Sequence, residues 1–244
     1  MASQWQNFLR NLGEWSGTFA TLSPSGELIS EMPSLLSLEA DEGGALVHFR
    51  LRNYGAGGSE APPVRDLQQE YRSLGRQVVF FETGTFCKGT LQQAPATASG
   101  AEFGFVHGDR RHRLVMLFDT TGDPEKLVLI REFRTGVEAL ERPPLSPDQL
   151  SGVWHGSRTV LTNDWFHPET TEVTLEFDEQ EIADLLLLPD GGYCRWPSKV
   201  SHRQAFQIEA GWLPEADRLE RLIRTYDATG AWQESIHQIL LRQN

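Results

Sequence analysis

Leu12-Gly13-Glu14-Trp15-Ser16-Gly17 returns later in the chain as Ser151-Gly152-Val153-Trp154-His155-Gly156. Both stretches read Gly-x-Trp-x-Gly, and both open a series of short strand-like segments. A helical pattern precedes each. Residues 3–12 place Trp5, Phe8, Leu9 and Leu12 on one face behind Ser3 as N-cap. Residues 146–150 offer Ser146 as a cap and Pro147 in the first turn.

Further matches follow in the same order. Phe86-Cys87-Lys88 corresponds to Tyr193-Cys194-Arg195. The run from Arg113 to Gly122 corresponds to that from Arg221 to Gly230, and Ile130-Arg131 to Leu241-Arg242. Tryptophan and cysteine lie 72 residues apart in the first half and 40 in the second, so the first carries about one extra hairpin.

Strand patterns fall at 15–22, 34–40, 45–52, 66–73, 77–81, 85–91, 101–107, 112–118 and 126–133. The second half shows them at 154–162, 172–177, 182–188, 192–196, 204–212, 218–226 and 232–241. Nearly every connection carries Gly, Pro or Asp, as antiparallel hairpins do. Residues 54–63 are too rich in Gly and Pro for an element and read as a loop. Three prolines within 143–147 mark a boundary. The expectation is an all-β chain of two tandem antiparallel modules, at 1–140 and 146–244, the second smaller.

The 244 residues carry 22 basic and 34 acidic side chains, for a net charge of −12. That balance disfavours nucleic acid and anionic membrane surfaces, which attract positive patches. The polar opening of the chain lacks a secretory h-region, and no apolar run is long enough to span a membrane. A cytoplasmic protein with reduced thiols is expected.

At this point the residues resemble a family. A helical turn, Gly-x-Trp on the first strand and an Arg on the last look like the calycin (lipocalin and fatty-acid-binding) pattern. The stretch from Trp5 to Phe19 with the Ser-Pro-x-Gly turn at 23–26 resembles a domain-of-unknown-function family of cyanobacterial and plastid calycin proteins. That family is distantly similar to the phycobilin lyases, which hold an open-chain tetrapyrrole. The resemblance covers both modules and implies two lipocalin-like β-barrels. It further implies a Trp capping the closed end of each barrel, with a late Arg across it: Trp15 with Arg131, and Trp154 with Arg242. A functional site would then lie toward the other end of the strands.

Candidate chemistry is sparse. No nucleophile elbow, P-loop, dinucleotide fingerprint or zinc-ligand spacing occurs, so no catalytic or metal residue is assigned. Cys87 and Cys194 sit at equivalent places, either as cavity-facing thiols or as buried structural ones, the latter being simpler. Arg113 and Arg221 lie mid-strand. Facing inward they would hold a ligand carboxylate, and facing outward they would be solvated. Arg224 stands where the first half has Met116, so at least one face differs between modules. His107 and His112 read as surface residues at a hairpin. Trp165-Phe166-His167 and Trp212 either rim a mouth or pack between modules.

The leading expectation is binding of a hydrophobic or tetrapyrrole-like small molecule, such as a bilin or lipid, inside a barrel. One alternative is a bilin lyase- or isomerase-like factor that meets a phycobiliprotein. Another is a ligand-free assembly or interaction protein with filled barrels.

Overall fold

The structure, a computed structural model, describes residues 2–55, 57–138, 140–163 and 168–243. Trp165-Phe166-His167 lie outside the described residues.

Helix α1 (Gln4–Leu9) is held by a reciprocal cap: Gln6 N–H donates to Ser3 Oγ (3.2 Å), and Ser3 N–H to Gln6 Oε1 (2.8 Å). The chain then turns through Gly13 at φ +123°, a conformation that glycine adopts without penalty. Strand β1 (Gly13–Leu22) follows, with Trp15 fully buried. Its indole N–H donates to the Asn11 carbonyl at 3.0 Å, tying strand to helix.

Eight more strands complete the first sheet: β2 (Leu28–Ala40), β3 (Val47–Asn53), β4 (Arg65–Tyr71), β5 (Val78–Phe80), β6 (Phe86–Gly89), β7 (Ser99–His107), β8 (Arg110–Phe118) and β9 (Pro124–Arg134). The spatial order is β4-β3-β2-β1-β9-β8-β7-β6-β5. It is an antiparallel meander whose first and last strands pair. β4 and β5 are the two edges and share no ladder.

The second half repeats the plan. Helix α2 (Pro147–Leu150) leads into Gly152 at φ +109° and strand β10 (Gly152–Thr162). Trp154 is fully buried, and its indole N–H donates to the Leu150 carbonyl at 2.7 Å. After β11 (Glu169–Phe177) and helix α3 (Glu179–Ala183) come β12 (Leu186–Leu187), β13 (Gly192–Arg195), β14 (Phe206–Glu215), β15 (Arg218–Tyr226) and β16 (Trp232–Arg242). The order is β11-β10-β16-β15-β14-β13-β12.

The second glycine of each motif permits a close strand approach. A Cβ on Gly17 would sit 1.9 Å from the Arg131 carbonyl oxygen, and one on Gly156 1.9 Å from that of Ile239. Only a residue without a side chain lets the first strand lie this close to the last.

The arginine over Trp15 is Arg134, not Arg131. Its guanidinium lies 4.1 Å from the ring centroid and donates to the Leu12 carbonyl at 2.6 Å. Arg242 does the same in the second half, 4.4 Å from the Trp154 ring and 2.6 Å from the Ser151 carbonyl. Strand alternation explains the correction. Trp15 stands opposite Arg134 in the ladder, and Arg131, an odd number of residues away, points to the other face. There it pairs with Glu141 and Glu31 and donates to Thr18 Oγ1.

Two further departures are local. The 182–188 segment, expected as a strand, begins in α3, because Asp178 caps that helix by accepting from Glu181 N–H at 2.8 Å. Strand β2 starts at Leu28, since residues 28–33 find partners along β1.

The two sheets share a core. Phe103, Leu114, Met116 and Leu129 of the first pack with Ile208, Ala210, Trp212 and Leu222 of the second. Each sheet therefore has one face on this common core and the other around its own tryptophan.

Gly17→Ala should destabilise the protein by about 1–3 kcal/mol through overpacking against the β9 backbone. Gly43→Ala, where a Cβ meets nothing within 4 Å, should stay within about 0.5 kcal/mol. Urea unfolding of both variants measures the difference, and equal midpoints would remove the close-approach account.

Candidate functional site

A cavity of about 370 Å³ lies inside the first sheet, and residues from all nine strands line it. Phe19, Leu38, Phe49, Leu51, Leu67 and Val115 supply apolar wall, while Phe8 and Asn11 close the helix end. Exposed Ser73, Gly75 and Gln77 border it where β4 gives way to β5, so the mouth coincides with the unpaired sheet edges.

The charged groups in the wall are Lys88 of β6, Glu102 of β7, and Arg111 and Arg113 of β8. Arg113 faces inward and is already satisfied. It donates to Glu132 at 3.1 and 2.9 Å and to Glu102 at 2.9 Å, with its guanidinium 5.5 Å from the Phe19 ring. Burial acts against its charge, but Glu132 and Glu102 outweigh burial and hold its pKa above the ordinary arginine value.

Arg111, one turn of the pleat away, is different. It is 3% exposed and lies 5.0 Å from the Trp15 ring. Its Nε and Nη1 make no hydrogen bond, and its ion partner Glu132 stands at 3.7 Å. Burial pulls its pKa down to about 10, against the opposing pull of Glu132. The cavity thus reaches down to the Trp15 end of the sheet instead of lying away from it, because Arg111 both lines it and covers the indole.

The corresponding face of the second sheet is packed by its own side chains. Trp154, Phe177, Tyr193, Leu213, Leu219 and Leu240 form one buried cluster there. Arg221 points inward as Arg113 does, but it is bound to Glu209 at 2.9 and 2.8 Å and to Gln238 at 3.0 Å. Its guanidinium lies 5.4 Å from the Phe177 ring. The inward arginine here is fully paired at the border of a closed apolar core.

The remaining candidates lie between the sheets, away from the cavity. Cys87 and Cys194 are both 0% exposed in the shared core. Burial raises both thiol pKa values, that of Cys194 to about 12. Neither thiol lines the cavity: Phe86 and Lys88, the strand neighbours of Cys87 on the opposite face, line it instead, and Cys194 belongs to the second sheet. Arg224 is likewise no cavity residue. It crosses from β15 to the first sheet, donating to the carbonyls of Gly89 and Thr90 at 3.3 Å and to the Tyr226 hydroxyl at 2.8 Å.

His112, expected at the surface, is buried and stacked on Trp212 with ring centroids 5.6 Å apart. Burial depresses its pKa despite Asp190 at 3.6 Å. Trp212 itself packs between the sheets.

The sequence reading missed Arg111, Glu132 and Arg134. The signal was present: the offset of 108 that maps Arg113 onto Arg221 also maps Arg134 onto Arg242. The same offset maps Arg111 onto Leu219 and Glu132 onto Leu240. Among the described residues, no group of three His, Cys, Asp or Glu side chains is placed to hold a metal ion. No helix among them is long and apolar enough to cross a membrane.

Comparison with known proteins places these features in a family. The model of the N-terminal part of DUF3598, a domain of unknown function, matches residues 1–137. The model described as the C-terminal domain of biogenesis factor required for ATP synthase 1 matches residues 171–239. A DUF3598 protein of unknown function from Nostoc punctiforme is similar over 100% of both chains, with 34% identity and a TM-score of 0.90. An S-type phycobiliprotein lyase from Guillardia theta aligns with 56% of this chain and 95% of its own, at 14% identity and a TM-score of 0.38. No curated protein matches the chain.

Both thiols should resist Ellman's reagent in the native protein and react together once urea unfolds it. Stoichiometric labelling of either under native conditions would contradict their placement in the core between the sheets.

Proposed function

We propose that this chain, which belongs to the DUF3598 family, binds a hydrophobic small molecule in the cavity of its first sheet. The observation that carries the reading is the contrast between the halves. One sheet encloses about 370 Å³ lined by aromatic and aliphatic side chains, and the other fills the same space with Trp154, Phe177, Leu219 and Leu240. A core that could close did so in one half, whereas the other keeps apolar surface facing a cavity that opens to solvent. Empty apolar volume costs packing energy, and an occupant recovers it. The volume sits at the small end of the range for ligand sites, about 300–1,000 Å³, which favours a slender or compact molecule over a broad tetrapyrrole.

The second half then serves as scaffold. Its filled core and the shared interface hold β6–β9 in place, and those strands carry every charged residue of the cavity wall.

A second reading, an assembly role for the C-terminal half, is favoured by the match of residues 171–239 to the C-terminal domain of an ATP synthase biogenesis factor. The two readings separate by mutation, because the cavity and the matched segment do not overlap.

Nile red should bind saturably with a blue-shifted emission and raise the melting temperature. Val115→Trp, which places an indole in the cavity, should weaken binding at least about ten-fold with the fold intact by circular dichroism. Absence of saturable binding by Nile red and by biliverdin would overturn the ligand reading and leave the assembly role.

A further inference from the structure

We propose that the molecule held in the first sheet carries a single carboxylate, and that Arg111 at the cavity floor receives it. The proposal rests on the reading of this cavity as a ligand site and names the chemistry of its occupant.

Among the described residues, Arg111 is the one arginine with two buried guanidinium nitrogens that make no hydrogen bond. A buried donor without an acceptor is costly, more so when it is charged. Glu132 does not relieve it. Both oxygens of that carboxylate are engaged by Arg113, at 2.9 and 3.1 Å, and Arg111 is left at 3.7 Å. The indole face below accepts the flat cation but offers no lone pair.

The second half supplies an internal comparison. At the positions equivalent to Arg111 and Glu132 stand Leu219 and Leu240, in a closed apolar core. The fold therefore does not require this charge pair at the tryptophan. The pair occurs in the half that has the cavity.

Charge counting sets the head group. Arg111, Arg113, Lys88 and Glu102 line the cavity and Glu132 stands behind the two arginines as their ion partner, which leaves an excess of one positive charge in a protein of net charge −12. One carboxylate neutralises that excess and matches the planar guanidinium fork. A phosphate monoester, at about −1.5 to −2 near neutral pH, exceeds it. Beyond the floor Phe19, Leu51, Leu67 and Val115 give a continuous apolar part of the wall, and the mouth lies at Ser73 and Gln77. The ligand accordingly enters head first between β4 and β5, with its hydrocarbon part toward the opening.

Isothermal titration of the full chain with decanoate, decanol and decyl phosphate tests this. Decanoate should bind about ten- to a hundred-fold tighter than decanol, the range for a hydrogen bond to a charged group. It should also bind tighter than decyl phosphate. The double variant R111L/E132L, which copies the second half, should bind the acid and the alcohol alike. Equal affinities in the unmodified protein would overturn the carboxylate proposal while decanol and Nile red binding upheld the cavity reading. Preference for decyl phosphate would overturn the single-carboxylate head group. An acid preference that survives in a folded R111L/E132L would overturn the role of Arg111. Should that variant not fold, the acid-to-alcohol ratio of the unmodified protein decides. Binding of none of these ligands, Nile red included, would remove the cavity reading and the proposal together.

Discussion

The stack of an arginine on a buried indole, repeated in both halves, is the contact on which the rest of the structure depends. Arg134 on Trp15 and Arg242 on Trp154 join the last strand of each sheet to its first and to the preceding helical turn. A meander has no reason to return its last strand to its first unless something makes that approach favourable. Here glycine removes the steric obstacle, and the cation on the ring, with its hydrogen bond to a helix-end carbonyl, supplies the attraction. Curvature follows. Strands β2–β4 and β5–β8 extend from the paired β1 and β9 and bend around the tryptophan side.

From this common frame the two halves diverge at a few inward positions. Both retain an inward arginine next to a glycine covered by an aromatic ring: Arg113 beside Gly104 under Phe86, and Arg221 beside Gly211 under Tyr193. Both give that arginine a glutamate, Glu102 and Glu209. The difference is one layer lower, where Arg111 and Glu132 are replaced by Leu219 and Leu240. Leucines can pack against the indole and close the core. A partly paired guanidinium cannot, and the space above it stays open.

Between the sheets, buried polar groups fix how the halves meet. Apolar contact alone is non-directional. Arg224 reaching the carbonyls of Gly89 and Thr90, and Arg110 paired with Asp190, each demand a single geometry. Asp190 also accepts from the Arg142 backbone, and its own carbonyl accepts the Trp212 indole N–H at 2.9 Å. Displacing one sheet would leave these groups buried and unpaired, a cost of several kcal/mol for charged groups. These contacts fix the cavity wall on the β6 and β8 side, whereas the edge strands β4 and β5 have no ladder joining them.

The sequence by itself determined the duplication, the antiparallel meanders and their strand number. Local signals encode these: glycine and proline at turns, period-two alternation, capped helical turns and a tryptophan motif at equal places in each half. It also held the register of the tryptophan with its arginine, in the 108-residue offset, although matching Ile130-Arg131 to Leu241-Arg242 concealed it. Tertiary structure alone decided which face of each strand lines the cavity and which joins the sheets. Strand β8 shows why. With Leu114, Met116 and Phe118 on one side and Arg111, Arg113 and Val115 on the other, both faces are buried, so alternation carries no inside-outside contrast. The same holds for the thiols, which look alike in sequence whether they face a ligand or a second sheet. Only the packing of one sheet on the other distinguishes them, because it assigns one face to a dry core and leaves the other around a cavity.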